Sequence, residues 1–357
     1  LFGVDANLMS LGAIDFGIII DGAVIIIEYL AYSITKNQLR LKDLQGEDRQ
    51  KALDKTVLEG VNKMMHSAVF GQIIIIIVFI PILELILDEE NSNYSESEIS
   101  ARAINTFFDW LLYLNLPIVY ALMIWSFFEV ANHPFETYEF VGLVLSLGMV
   151  LGGNGINVAH ELGHRQASKE RFIGKALLLP SLYMHFYIEH NFGHHLHAAT
   201  KEDPATARYK QNVYSFWLTS IIRQYFSAWK IQKRLLENYK LSFFSLRNDM
   251  FWYLVIQSSY LIIVFLIFGK AVLLFSVLAA VVGFLLLETV NYIEHYGLLR
   301  KKKESGRYER VKEIHSWNSN HVIGRIMLYE LTRHSDHHFK SSKKYQILEC
   351  HEESPQM

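Results

Sequence analysis

The chain has 357 residues, 51% of them hydrophobic and only 20% charged, with a formal net charge of −2 and a single cysteine, Cys350. That balance leaves no excess positive charge for a nucleic-acid surface. One cysteine excludes an internal disulfide, a four-cysteine zinc site and a built-in iron–sulfur centre.

So apolar a composition is unusual for a water-soluble enzyme, and the apolar residues come in blocks. In chain order, 11–34, 67–87, 109–130 and 138–158 each reach the ~20 residues needed to cross a ~30 Å hydrocarbon layer. Residues 251–268 and 271–293 form a hairpin that brings the number to about six. A weaker run, 172–188, carries Lys175, Pro180 and His185; it reads as half-buried or re-entrant, with protein covering its polar groups. The expected fold is all-α, a polytopic transmembrane bundle. Leu1 opens the chain without a basic n-region, so no cleavable signal peptide is expected, and both ends read as incomplete.

Basic residues orient such a bundle, because loops rich in Lys and Arg stay in the cytoplasm. Thirteen lie in 159–250 and twelve in 299–357, and the hairpin returns the chain to the side it left. Both regions are therefore expected on the cytoplasmic face of an inner membrane. The loop 35–65, with seven basic and five acidic residues, should lie there too. Three helices separate it from residue 159, so the N-terminal region conflicts with the rest.

Histidines cluster at the ends of these helices. "HELGH" supplies His160 and His164, "HNFGHH" supplies His190, His194 and His195, "NYIEHYGLL" supplies His295, and "RHSDHH" supplies His334, His337 and His338. Spacings of three and four point imidazoles the same way on a helix, so one metal can take ligands from adjacent turns. Nine imidazoles exceed the needs of one ion. Zinc would stop at four ligands, whereas two iron ions with four or five nitrogens each, and a position left for oxygen, use the set fully. "HELGH" also matches the zinc-protease pattern with Glu161 as general base, but the further histidines and the membrane setting argue against it. His66, His133, His197 and His351 lack patterned partners and read as structural or solvent-facing; His185, His315 and His321 lie near the clusters but are isolated. Glu161, Glu189, Asp203, Glu294 and Asp336 flank the clusters and could orient a ligand by accepting its second N–H.

Residues 80–357 resemble the integral-membrane alkane 1-monooxygenases. The matching stretches are "GINVAHELGHR", "HFYIEHNFGHHLHAATKEDPATAR", "SLRND", "NYIEHYGLLR", "GRYERV", "HSWNSN" and "LYELTRHSDHHFKSSKKYQIL". The resemblance implies a di-iron centre held by His160, His164, His190, His194, His195, His295, His334, His337 and His338. It implies terminal hydroxylation of a medium- or long-chain n-alkane, drawn from the bilayer lipid, with O2 and electrons from a separate rubredoxin and its reductase. A basic surface such as Lys301, Lys302 and Lys303 would suit that acidic donor, although a solvated juxtamembrane charge run is the commoner explanation of such a cluster. A membrane fatty-acyl desaturase is the nearest alternative, but those commonly carry HxxHH where this chain has HxxxHH, and they lack "NYIEHYG".

The opening is different. "NLMSLGAIDFGIIIDGAVIIIEYL" and "LDKTVLEGVNKMMHSAVFGQIIIIIVFIPI" resemble membrane helices of resistance-nodulation-division heavy-metal efflux pumps. That resemblance implies proton-coupling roles for Asp15, Asp21 and Glu28, since intramembrane carboxylates are costly and normally functional. Without the rest of a pump, no transport activity is expected. The organisation expected is an efflux-pump-like fragment at 1–80 joined within Ile73–Pro81 to a hydroxylase-like domain at 81–357. Such a chimeric chain could also be a non-functional fusion.

Overall fold

The computed structural model describes residues 80–357, together with residues 45, 46, 48–53 and 55. The chain divides into two compact units, Leu1–Val78 and Phe79–Met357. In the first, residues 48–53 are helical. The expected span 11–34, most of 67–87, and Asp15, Asp21, Glu28 and His66 lie outside the described residues.

The second unit is helical, and among the described residues there is no strand, only isolated bridges such as that between Lys302 and Tyr308. It begins with α1 (Ile80–Ile86) and α2 (Glu96–Ile104). Ser95 starts α2 through a capping box in which Glu98 reaches back to the Ser95 N–H at 2.8 Å. α3 (Thr106–Asn132) follows at once, capped by the Asn105 side chain, which accepts from the Phe107 N–H at 3.0 Å. It is apolar on every face: Leu112, Val119, Met123 and Phe127 are buried, while Trp110, Leu114, Ile118 and Phe128 are exposed. A helix apolar all round has lipid, not water, outside it.

Among the described residues, four helices are long and apolar enough to cross a membrane: α3, α4 (Thr137–Gly163), and the hairpin expected from the sequence. Its arms are α8 (Asp249–Phe268) and α9 (Lys270–Glu294). Gly269 alone joins them, at φ +85°, where a side chain would be strained. α4 packs most extensively on α9. Their backbones approach so closely that a Cβ on Gly148 would sit 2.4 Å from Val282 Cβ. Gly148→Ala is therefore expected to cost about 1–3 kcal/mol through overpacking, read as a lowered thermal unfolding temperature in detergent; an unchanged temperature would refute this contact.

The weak run 172–188 does not form one long helix. It divides between α5 (Ser168–Leu178), a run of turns, and the start of α6 (186–197). α7 (Val213–Asn238) buries Phe216, Ser220, Gln224 and Ala228 and exposes Tyr214, Leu218, Ile222 and Phe226 on the opposite face. An outer apolar stripe of this kind suits a helix lying along a membrane surface. Two short helices, α10 (Val322–Met327) and α11 (His334–Phe339), complete the fold. Glu84 on α1 accepts from the Gly324 N–H at 2.7 Å and so docks α1 on α10.

Candidate metal centre

Four elements end at one place. The last turn of α4 carries His160, His164 follows as its cap, α6 carries His190, His194 and His195, the residue after α9 is His295, and α11 is built around His334, His337 and His338. All nine sequence-predicted histidines converge, in two groups. His160, His164, His190, His195 and His337 form one, and His194, His295, His334 and His338 the other; within each, the ligand-capable atoms lie within 4.8 Å of one another.

The expected pairing of histidines four apart holds for His160 with His164 and for His334 with His338, but not throughout. His190 and His194, four apart, fall in different groups, and His190 pairs with His195. Residues His190–His194 form a widened π turn, in which the His195 N–H reaches the His190 carbonyl. That extra residue per turn rotates His195 inward. A second π segment, Leu151–Ile156, precedes the histidines of α4; such insertions recur at functional sites. On α11, His334 and His338 share the four-histidine group while His337 turns to the five-histidine one.

The inward nitrogens cannot satisfy one another. Nε2 of His164 lies 3.2 Å from those of His190 and His195, and these two are 3.0 Å apart. Each Nε2 bears either a proton or a lone pair. In a triangle of three, at least two are alike and repel. His337 Nε2 adds a fourth at 3.3 Å from His195. In the other group His194 and His338 Nε2 are 3.1 Å apart, as are those of His334 and His295. A cation between the lone pairs removes the conflict, and an all-imidazole donor set of this number fits a pair of divalent transition-metal ions. Burial, reinforced by the neighbouring rings, pushes His164, His190, His195, His334 and His338 well below the usual imidazole range. Burial pushes His295 and His337 down to about 3. The rings are therefore neutral at pH 7, the state a metal requires.

Of the five flanking carboxylates, Asp203 meets the outer nitrogen of a clustered histidine. Asp203, fully buried, accepts from His194 Nδ1 at 3.0 Å and from the Thr206 hydroxyl at 2.6 Å. Burial alone would raise its carboxyl, but His194, its hydrogen bond, His295 and Thr206 outweigh this and hold it at about 2. The charge fixes the His194 tautomer, leaving the Nε2 lone pair inward. Asp203→Asn is expected to speed metal loss to a chelator by about 10- to 100-fold, read as metal retained per chain over time; wild-type retention would refute the role.

The others differ. Glu161 pairs with Arg165 at 2.8 Å and accepts from the Tyr345 N–H at 3.2 Å. Asp336 accepts from Lys343 at 2.8 Å and faces His351 at 2.8 Å. Glu189 is buried near Ser227, and burial, then Asp203 and Glu288, pushes it well above the usual carboxylate range. Glu294 faces the inward nitrogen of His334. The unpatterned histidines stay outside: His133 meets Glu129, His315 meets Glu309 and His321 meets Glu89. His185 is enclosed by Tyr183 and Tyr225, and His197 belongs to neither group. Lys301, Lys302 and Lys303 are exposed.

Sequence reasoning missed Thr206, whose place three residues after Asp203 is a local hydrogen-bonding signature. It also missed the tie from Lys344 to Asp109, at 2.9 Å, which clasps the C-terminal segment to α3. A cleft of ≈ 440 Å³ lined by Arg171, Tyr187, Asn191, Ser341 and Ser342 reaches His164.

Residues 136–351 match the family model described as fatty acid desaturase, and residues 1–88 match that of the AcrB/AcrD/AcrF family. Alkane 1-monooxygenase 1 of Alcanivorax borkumensis is 39% identical over 269 residues, 75% of this chain and 66% of that protein. Alkane 1-monooxygenase 2 of Pseudomonas aeruginosa is 36% identical over 82% of this chain and 77% of its own length. The alkane 1-monooxygenase of Ectopseudomonas oleovorans is 37% identical over 75% of this chain and 67% of its own. The chain thus spans about two thirds to three quarters of the length of these relatives.

Proposed function

The chain belongs to the fatty acid desaturase family, in its alkane 1-monooxygenase branch, and from that premise we propose that it hydroxylates medium- or long-chain n-alkanes at the terminal carbon. The observation that carries the reading is the convergence of nine imidazoles, seven buried and two half-buried, into groups of five and four. The reaction inserts one oxygen atom of O2 into a terminal C–H bond and releases the other as water. Two electrons and two protons complete the balance, the electrons coming from a separate rubredoxin and its reductase.

Two iron ions, when bound, supply dioxygen activation and C–H attack. The chain's residues do the rest. His160, His164, His190, His195 and His337 would hold one ion, and His194, His295, His334 and His338 the other. Asp203 keeps His194 in the tautomer that offers Nε2 inward. An alkane has no polar handle, so the protein must select it by shape and take it from lipid through the apolar helices. Their burial of the histidines keeps bulk water from the reacting carbon. The site sits on the cytoplasmic side of an inner membrane in this reading, where the basic residues of 159–250 and 299–357 would meet an acidic electron donor.

Residues 1–80 read as a remnant of an efflux pump without transport activity, and 81–357 as the hydroxylase part. One continuous DNA read across codons 60–100 tests the junction; a break in coverage there would mark a faulty assembly.

The decisive assay combines iron content of the purified protein with octane turnover in the presence of rubredoxin and reductase. About two irons per chain and 1-octanol are expected. A desaturated acyl product from a labelled fatty acid, with no 1-alcohol from octane, would instead favour the desaturase reading. Iron-loaded protein active on neither would indicate an inactive fusion.

A further inference from the structure

We propose that the loop 239–247, between α7 and α8, forms with the last turns of α7 a binding site for an anionic phospholipid. The inference goes beyond the proposed function and depends on neither the metal nor the alkane.

Phe244 and Leu246, in the middle of the loop, are 82% and 83% exposed. Their outward position is held by the backbone behind them, which is pinned at several points. The Asn248 side chain, fully buried, donates to the Phe243 carbonyl at 2.8 Å and caps α8 by accepting from the Met250 N–H at 3.1 Å. The Trp252 indole N–H donates to the Leu246 carbonyl at 2.8 Å. Gln232 Nε2 of α7 donates to the Arg247 carbonyl at 3.3 Å, and the Trp229 ring lies 5.9 Å from that of Phe243, so the end of α7 packs against the loop. Phe244 itself stacks on Phe251, 6.0 Å away with 11° between the ring planes.

A fixed loop with apolar side chains turned outward marks an interaction surface. What covers it follows from the next helix. α8 begins at Asp249, directly after the Asn248 cap, and exposes Leu254, Val255, Ile262 and Leu266 along its length. Hydrocarbon therefore starts within about a turn of the loop, and the exposed Trp252 sits where indole rings favour the headgroup layer.

The charges select the headgroup. Lys230, Arg234, Lys240 and Arg247 are exposed, and among the described residues their side chains make no hydrogen bond or ion pair. The acids of this stretch are already engaged: Glu237 meets Lys233 at 3.8 Å and Asp249 meets Lys175 at 2.8 Å. Unpaired cations beside an apolar tip match a lipid phosphate whose acyl chains lie against Phe244 and Leu246. Basic clusters next to a membrane helix favour anionic over zwitterionic lipid, whose own ammonium offsets the attraction. The guanidinium forks of Arg234 and Arg247 suit the phosphate oxygens.

The test follows thermal unfolding of the full chain in a zwitterionic detergent, titrated with phosphatidylglycerol, phosphatidylcholine or inorganic phosphate. Phosphatidylglycerol should raise the wild-type unfolding temperature at concentrations about tenfold or more below those phosphatidylcholine needs. Inorganic phosphate should have no effect, and about 0.5 M salt should erase the preference. Arg234→Gln with Arg247→Gln should unfold like wild type without lipid, yet need at least about tenfold more phosphatidylglycerol for the same rise. Phe244→Ser should weaken the response to both lipids. Equal wild-type responses to the two lipids, an equal response to inorganic phosphate, or a double variant that titrates like wild type would overturn the proposal. A double variant with normal lipid response but lost affinity for rubredoxin would give the patch to the electron donor instead. If the double variant unfolds early without lipid, Lys230→Gln with Lys240→Gln decides, and an unchanged titration there refutes the site. Neither iron nor turnover enters the readout, so failure of the proposed function leaves this result separate.

Discussion

His195→Ala is expected to bring octane hydroxylation to background, a loss on the order of 10³-fold or more, and to remove about one iron per chain. Nε2 of His195 lies within 3.0–3.3 Å of those of His190, His164 and His337, so it is the hub of the five-histidine group. The four-histidine group does not use it. Removing it should therefore empty one position and spare the other. The fold should survive, because the metal-free nest of like-facing nitrogens is relieved of one crowded ring. His197→Ala, two residues further on, supplies the control and should retain wild-type activity. Comparable losses from both substitutions, or two irons retained in His195→Ala, would refute the assignment.

The metal-free protein should lose stability steeply as pH falls below about 6.5. His164, His190, His195, His334 and His338 are held well below the ordinary value of 6.5, and His295 and His337 at about 3. Between those depressed values and 6.5, the unfolded chain binds protons that the folded chain refuses. Stability is therefore full above 6.5 and declines on acidification, by up to about 1.4 kcal/mol per pH unit for each histidine. Several acting together would exhaust a typical stability of about 5–15 kcal/mol within a few pH units. Unfolding temperatures of chelated protein in detergent, measured between about pH 8 and pH 5, check this. Bound metal should move the decline to lower pH, because it competes for the same nitrogens. A flat profile for the chelated form would mean that the rings are hydrated, not buried.

Much of this centre was legible in the sequence because each histidine pattern is local. His160 and His164 sit four apart in one helical turn, and a sequence reader sees that directly. The division of the histidines between two groups was not legible. It depends on the π turn at His190–His194, and nothing in "HNFGHH" distinguishes that turn from an ordinary helix. The membrane helices were legible from apolar blocks, and α3, α4, α8 and α9 match four of them. α7 was not, because Lys230, Lys233 and Arg234 dilute its composition while Tyr214, Leu218, Ile222 and Phe226 still form an apolar outer face. The roles of the carboxylates were the least readable. Asp203 and Glu294 look alike as acidic neighbours of histidines, yet one meets an outer nitrogen and the other an inward one. That difference is set by long-range packing of α6, α9 and α11, which no short motif records.

His194 and His195 are consecutive residues that serve different groups. One peptide unit is therefore a shared wall between two chambers. Filling either chamber freezes the backbone torsions on which its neighbour relies, so the second ion enters a cavity whose ordering entropy has already been spent. During titration with scarce metal, singly filled chains should be rarer than independent sites would give, with empty and doubly filled chains predominating.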